Sequence, residues 1–111
     1  MDEALRGHQR LERRSLALHR AIAEKLRARP ELLAIARENL DRWSQTTGRS
    51  QPYWDAWRQV LSRPLPDILE LMIEESEWMT AMRQATPFAG VLDPKERWAI
   101  YDQFAPPAGH R

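Results

Sequence analysis

The residues of this chain that could do chemistry are mostly charged or aromatic, and they gather in a few places. Arg6, Arg10, Arg13 and Arg14 lie near the start, with His8 and Gln9 among them. Arginines at this spacing can reach phosphates from a helix face, which makes them a nucleic-acid candidate. Two features weigh against it: the isoelectric point is only about 8.2, and no helix-turn-helix with its central glycine is evident. A solvated face in which these arginines pair with Glu3, Glu12 and Glu24 is the plainer expectation. Glu70, Glu74 and Glu77 stand at i, i+4 and i+7, which would place them on one helix face. Paired carboxylates can do acid–base work or bind Mg²⁺, although a solvated acidic face is the commoner use.

The segment 82–98 is the most distinctive. A helix ends near Ala85, an apolar loop follows, and Asp93-Pro94-Lys95-Glu96 starts another helix. Asp93 suits the N-cap, Pro94 the first helical position, and Glu96 completes a capping box. Pro87 disfavours helical geometry at Thr86, and Gly90 permits a positive φ. Loops are ordinarily polar because their backbone faces water, but Phe88, Val91 and Leu92 make this one apolar. Two outcomes are open. Phe88, Val91 and Trp98 could anchor a partner, with Arg83, Gln84 and Arg97 beside them to meet an acidic or phosphate group. Alternatively, Phe88 and Leu92 plug the bottom of the bundle and Arg83 pairs with Glu77 or Asp93.

Other chemistry has little support. There is no cysteine, no G-x-S-x-G turn and no Ser with a plausible His/Asp relay. The 4 glycines are too scattered for a phosphate cradle. His8, His19 and His110 are far apart in sequence. His8 and Glu12 could face one way, but two ligands do not make a zinc site. No catalytic residue, metal or cofactor is expected.

The elements that must position these groups read as helices nearly throughout. Residues 4–29 contain no proline, and Leu18, Ile22 and Leu26 repeat every four residues, which predicts one long helix with frayed first turns. Pro30 opens a second helix, with Leu33, Ala36, Leu40 and Trp43 on one face, ending at Thr46-Thr47-Gly48. Ser50-Gln51-Pro52 starts a third, in which Tyr53, Trp54, Trp57, Val60 and Leu61 turn inward. Leu65-Pro66-Asp67 begins a fourth, with Ile68, Leu69, Met72 and Ile73 inward. Nothing in the sequence decides whether it runs unbroken to Met82. The last helix spans about Pro94 to Phe104, with Trp98, Tyr101 and Phe104 on one face. Most of the tryptophans are expected in the core. The expectation is an all-α, compact single-domain bundle of five or six short helices over residues 1–104. Residues 1–14 form its frayed basic N-terminal helix, and 105–111 a disordered tail.

Bulk properties fit this reading. At 111 residues the chain suits one domain with a modest core, at 42% hydrophobic and 30% charged. No apolar run approaches ~18 residues, so no spanning helix is expected, and with Met1-Asp2-Glu3 at the start no signal peptide is expected either. The absence of cysteine suits a reducing cytoplasm. Net charge is only +1 but uneven. Residues 1–29 carry eight Lys/Arg against four Asp/Glu, whereas residues 64–80 carry five acids and no base. Such polarity can steer a partner or pair internally.

The run Leu18-His19-Arg20-Ala21-Ile22-Ala23-Glu24-Lys25-Leu26, together with Arg83-Gln84-x-x-Pro87-Phe88-Ala89-Gly90-Val91-Leu92-x-Pro94-x-Glu96-Arg97-Trp98, resembles short helical proteins of GC-rich bacteria. These look like the antitoxin partner in two-gene toxin–antitoxin modules, and the resemblance spans roughly residues 15–104. It implies a non-enzymatic cytoplasmic protein that binds and masks a toxin enzyme encoded by an adjacent gene. The acids of 67–77 would then cover a basic cleft on the toxin, and the Phe88–Val91 loop would supply apolar anchors. The alternative is a small nucleic-acid-binding regulator using Arg6, Arg10, Arg13 and Arg14. A third reading, a small enzyme using the Glu70/Glu74/Glu77 face, has the least behind it.

Overall fold

The structure is a computed structural model that describes residues 3–46, 48 and 50–105, with side chains from Gly7 onward. Expectations for Met1, Asp2, Thr47 and residues 106–111, and for the side chains of Glu3 and Arg6, fall outside the described residues. The described chain is all-α, with six α-helices and one short 3₁₀ turn. The helices are α1 (Glu3–Ala28), α2 (Leu33–Trp43), α3 (Gln51–Leu61), α4 (Leu65–Leu71), α5 (Glu77–Gln84) and α6 (Pro94–Gln103), with the 3₁₀ turn Pro30–Leu32 leading into α2. None of the described helices is long and apolar enough to cross a membrane.

α1 is the spine. Its 26 residues rise about 39 Å at ~1.5 Å each, which accounts for most of the 44 Å long axis. It packs against α4, α5 and α6, while α2 lies on α3 and α3 on α4. The core takes Ile22, Ala23 and Leu26 from α1, Leu33, Ala36 and Leu40 from α2, and Trp57 and Leu61 from α3. Ile68, Leu69 and Met72 join from α4 and its end, and Met79 and Met82 from α5. The four-residue stripe of α1 and the inward face of α2 are those the periodicity predicts. Trp57 is fully buried, and its indole N–H donates to the Met82 carbonyl at 2.8 Å. Trp43 and Trp54 are half-buried and pack tilted on one another.

The stretch the sequence left undecided is broken. α4 stops at Leu71, and α5 starts afresh after Ser76, whose hydroxyl accepts the Met79 N–H at 3.1 Å. The orphan carbonyls at the end of α4 are taken up by a side chain from α5. Arg83 Nη1 donates to the Met72 carbonyl at 3.1 Å and to the Glu74 carbonyl at 2.8 Å. The break corrects one expectation. Glu70 is on α4, Glu74 in the connecting turn and Glu77 in the first turn of α5, so the three do not share a helix face. All of them are exposed.

α6 begins with the predicted capping box. Asp93 Oδ1 accepts the Glu96 N–H, and Glu96 Oε1 accepts the Asp93 N–H, each at 2.8 Å. No α6 side chain is fully buried. The helix is tied to α1 by Lys25 and Glu96 at 2.6 Å, and Ile100 rests on the core edge. Trp98 departs from the expectation that most tryptophans lie in the core: it is 60% exposed.

Candidate functional site

The loop between α5 and α6 folds inward. Phe88 is 1% exposed and Val91 2%, with Leu92 also buried. Phe88 stands edge-on between the rings of Trp57, at 5.4 Å, and His19, at 6.0 Å. Phe88 and Val91 are therefore core residues, and a partner could reach them only if the loop left the bundle. The physical reason is that the loop's polar backbone has partners inside. Asn39, itself buried, donates its side-chain amide to the carbonyls of Pro87 at 2.8 Å and Ala89 at 3.0 Å. Arg42 donates to the Asn39 side-chain oxygen at 2.6 Å and orients it. Gly90 makes the turn at φ 98°, the positive value the sequence led us to expect.

His19 locks the other side of the loop. It is 2% exposed, with Nδ1 2.7 Å from the Ser15 carbonyl and Nε2 2.8 Å from Thr86 Oγ1. The carbonyl can only accept, so Nδ1 carries the proton and Nε2 accepts from the Thr86 hydroxyl. Thr86 Oγ1 in turn accepts the Phe88 N–H at 3.2 Å. Burial pulls the imidazole down to about 4, the Ser15 carbonyl opposes that shift, and the positive Arg83 adds to it. His19 and Asn39 carry the architecture of this region, yet neither stood out in the sequence. Asn39 falls on the apolar face of α2, one position before Leu40, and a polar residue on such a face was the available signal.

Arg83 does not pair with Glu77 or Asp93. It is 4% exposed and spends its guanidinium on the α4 carbonyls, with a longer contact of 3.4 Å to Thr80 Oγ1. Burial lowers its pKa from the ordinary arginine value, while the nearby Glu75 counteracts. Gln84, next to it, is exposed.

What remains open is a groove along α1, bounded by α5, the loop and α6. Its main cavity has a volume of about 500 Å³ and lies between Leu11, Leu18 and Tyr101, with Arg83 and Gln84 among its lining. A second hollow of about 230 Å³ continues past His19 to Gly90 and Arg97. At the rim, Arg14 sits over the Tyr101 ring, 4.7 Å from its centroid, and Trp98 meets the same ring edge-on at 5.5 Å. Leu11, 49% exposed, lines the same cavity as this half-buried tyrosine. Exposed large apolar side chains around one groove are the informative kind of surface feature. A third exposed one, Trp78, packs on Tyr53 elsewhere.

Two of the acids expected to pair with the basic cluster, Glu12 and Glu24, lie against other residues. Glu12 lies 3.1 Å from His8, and Glu24 pairs with Arg27. Arg20, Lys25 and Arg29 also have carboxylate partners. Among the described residues Arg10, Arg13 and Arg14 have none. Arg10 and Arg13 are exposed near the start of α1. Among the described residues no group of three or more His, Asp or Glu side chains could hold a metal ion.

No protein-family model matches the chain, and neither the search of curated proteins nor that of solved structures returns a similar one.

Proposed function

We propose that this protein is a non-catalytic interaction module that docks a protein partner on the face formed by the first half of α1 and by α6. The observation that carries this reading is the exposure of Leu11 and Trp98 around Tyr101, with Arg14 stacked on the same ring. Trp, Tyr and Arg dominate the energetics of protein interfaces, and here all three meet on one face. The anchors of this proposal are Leu11, Trp98, Arg14, Arg97 and Tyr101; Phe88 and Val91 support the face from inside. The resemblance to antitoxins supplies the class of partner, a bacterial toxin enzyme encoded next to this gene and masked in the cytoplasm by occlusion. The exposed acids Glu70, Glu74 and Glu77 would then lie over a basic part of the toxin. Co-expression with the product of the adjacent gene, followed by affinity titration, tests this. The double variant Leu11→Ala/Trp98→Ala should stay folded, because both side chains are exposed. It should bind at least ~30-fold more weakly, the loss expected of an interface hot spot. Unchanged affinity removes this face as the docking site, and no complex with that gene product removes the toxin partner.

A second reading is favoured by Arg10, Arg13 and Arg14, which have no carboxylate partner among the described residues. Cations left without intramolecular partners on an exposed helix end can neutralise phosphates, so α1 would grip nucleic acid. Binding of duplex DNA or RNA should then weaken steeply as salt rises. It should also disappear in Arg10→Glu/Arg13→Glu; no gel shift at low salt eliminates this reading.

A further inference from the structure

The cavity between α1, α5 and α6 contains a charge that the packing does not fully use. Arg83 lines both the 500 Å³ cavity and a neighbouring hollow of about 260 Å³. Its Nη1 is committed to two carbonyls and its Nη2 makes only the 3.4 Å contact with Thr80. Nε has no hydrogen-bond partner among the described residues, and none of their enclosed side-chain nitrogens or oxygens is left unpartnered. Nε therefore keeps some contact with solvent. No described carboxylate lies within ion-pairing reach of this guanidinium. Glu12, on the cavity wall, lies 3.1 Å from His8, and Glu75, the acid that most opposes the burial of Arg83, lies 3.5 Å from Arg20. A nearly buried cation with no carboxylate in contact attracts an anion, because water screens it poorly there. Around it the walls are apolar at Leu11, Leu18 and Tyr101, and Arg14 adds a second positive charge at the rim.

We infer that this cavity binds a small amphiphilic carboxylic acid, its carboxylate directed at Arg83 and Arg14 and its apolar body against Leu11, Leu18 and Tyr101. The volume is in the range of small-molecule sites, and the apolar patch of Leu11, Leu18 and Tyr101 is set among polar side chains, Ser15, Thr80 and Gln84 among them. The inference does not depend on a protein partner, since the ligand needs only this chain.

Titration of the full chain with phenylacetate, followed by amide ¹H–¹⁵N shifts, tests it. Saturable shifts are expected at Ser15, Thr80, Gln84 and Tyr101. Phenylacetamide, the neutral counterpart of similar shape, should bind at least ~5-fold more weakly, because a hydrogen bond to a charged acceptor is roughly twice as strong as a neutral one. Arg83→Gln endangers the fold through the α4 carbonyls, so the key variants are at the rim. Gln84→Trp, at an exposed position, fills the mouth and should abolish the shifts while the thermal midpoint holds. Arg14→Gln should weaken phenylacetate and leave phenylacetamide unchanged. Absence of saturable shifts up to the solubility of phenylacetate overturns the inference. So does equal affinity for the acid and the amide, or undiminished binding by Gln84→Trp.

Discussion

Acidification should destabilise this protein through His19 before its carboxylates are fully protonated. The ring is enclosed, and both of its nitrogens are committed in the neutral form, Nδ1–H to the Ser15 carbonyl and Nε2 to the Thr86 hydroxyl. Burial holds the folded-state pKa at about 4, against 6.5 for a free histidine. The unfolded chain therefore takes up a proton at a pH where the folded chain does not. Unfolding gains that proton-binding free energy, so stability declines as pH falls from about 6.5 and levels off below about 4. Between pH 7 and pH 4.5 the linkage relation gives a loss of about 2 kcal/mol from this one group. The measurement is urea unfolding at closely spaced pH values, followed by tryptophan fluorescence, on the wild type and on His19→Gln. The variant will be less stable at pH 7, because it loses the ring's packing on Phe88. Its stability should nevertheless fall by about 2 kcal/mol less than wild type over the same pH range. Asp93 and Glu31, both held below the ordinary carboxylate range by backbone hydrogen bonds, begin to lose their contribution at the acid end. They are present in both proteins and cancel in the difference. Parallel pH profiles for the two proteins would refute the argument, and so would a histidine resonance titrating near 6.5 in the folded state.

Three further substitutions test the way the loop is held. Asn39→Ala strands the carbonyls of Pro87 and Ala89 and should cost ~2–4 kcal/mol, read as a lower urea midpoint; a loss under half that would mean the clamp matters little. Gly90→Ala meets only Ile35 Cγ2 at an ordinary 3.5 Å, so its penalty is backbone strain at φ 98°. About 1 kcal/mol is expected by thermal denaturation, and a neutral result would mean the turn relaxes. Asp93→Ala removes the N-cap of α6 and should cost ~1 kcal/mol while raising amide exchange in residues 94–97 above that of α1. Uniform exchange across both helices would contradict the weak attachment of α6.

Helix positions and most of the core were legible because they depend on local periodicity. The four-residue stripe Leu18–Ile22–Leu26 and the faces of α2 and α3 were readable because side chains three or four apart share a face whatever lies opposite. The Asp93–Glu96 capping box and the Gly90 turn were readable for the same reason, since every partner lies within a few residues. The break between α4 and α5 was not, because Arg83, which satisfies the carbonyls that the break leaves open, lies nine residues beyond Glu74. The acidic spacing of Glu70, Glu74 and Glu77 misled because it assumed an unbroken helix.

The same division runs through the candidate site. By itself the sequence determined that residues 86–92 form an apolar, proline- and glycine-bounded loop, and that basic charge collects on the first helix. Only tertiary structure decided that this loop is core. Its polar backbone could be buried only because Asn39 and His19, 48 and 67 residues away from their loop partners, supply hydrogen bonds there. With Phe88 and Val91 inside, the accessible apolar surface passed to Leu11, Tyr101 and Trp98. Their grouping depends on how α6 lies across α1, and that is set by contacts no local pattern contains.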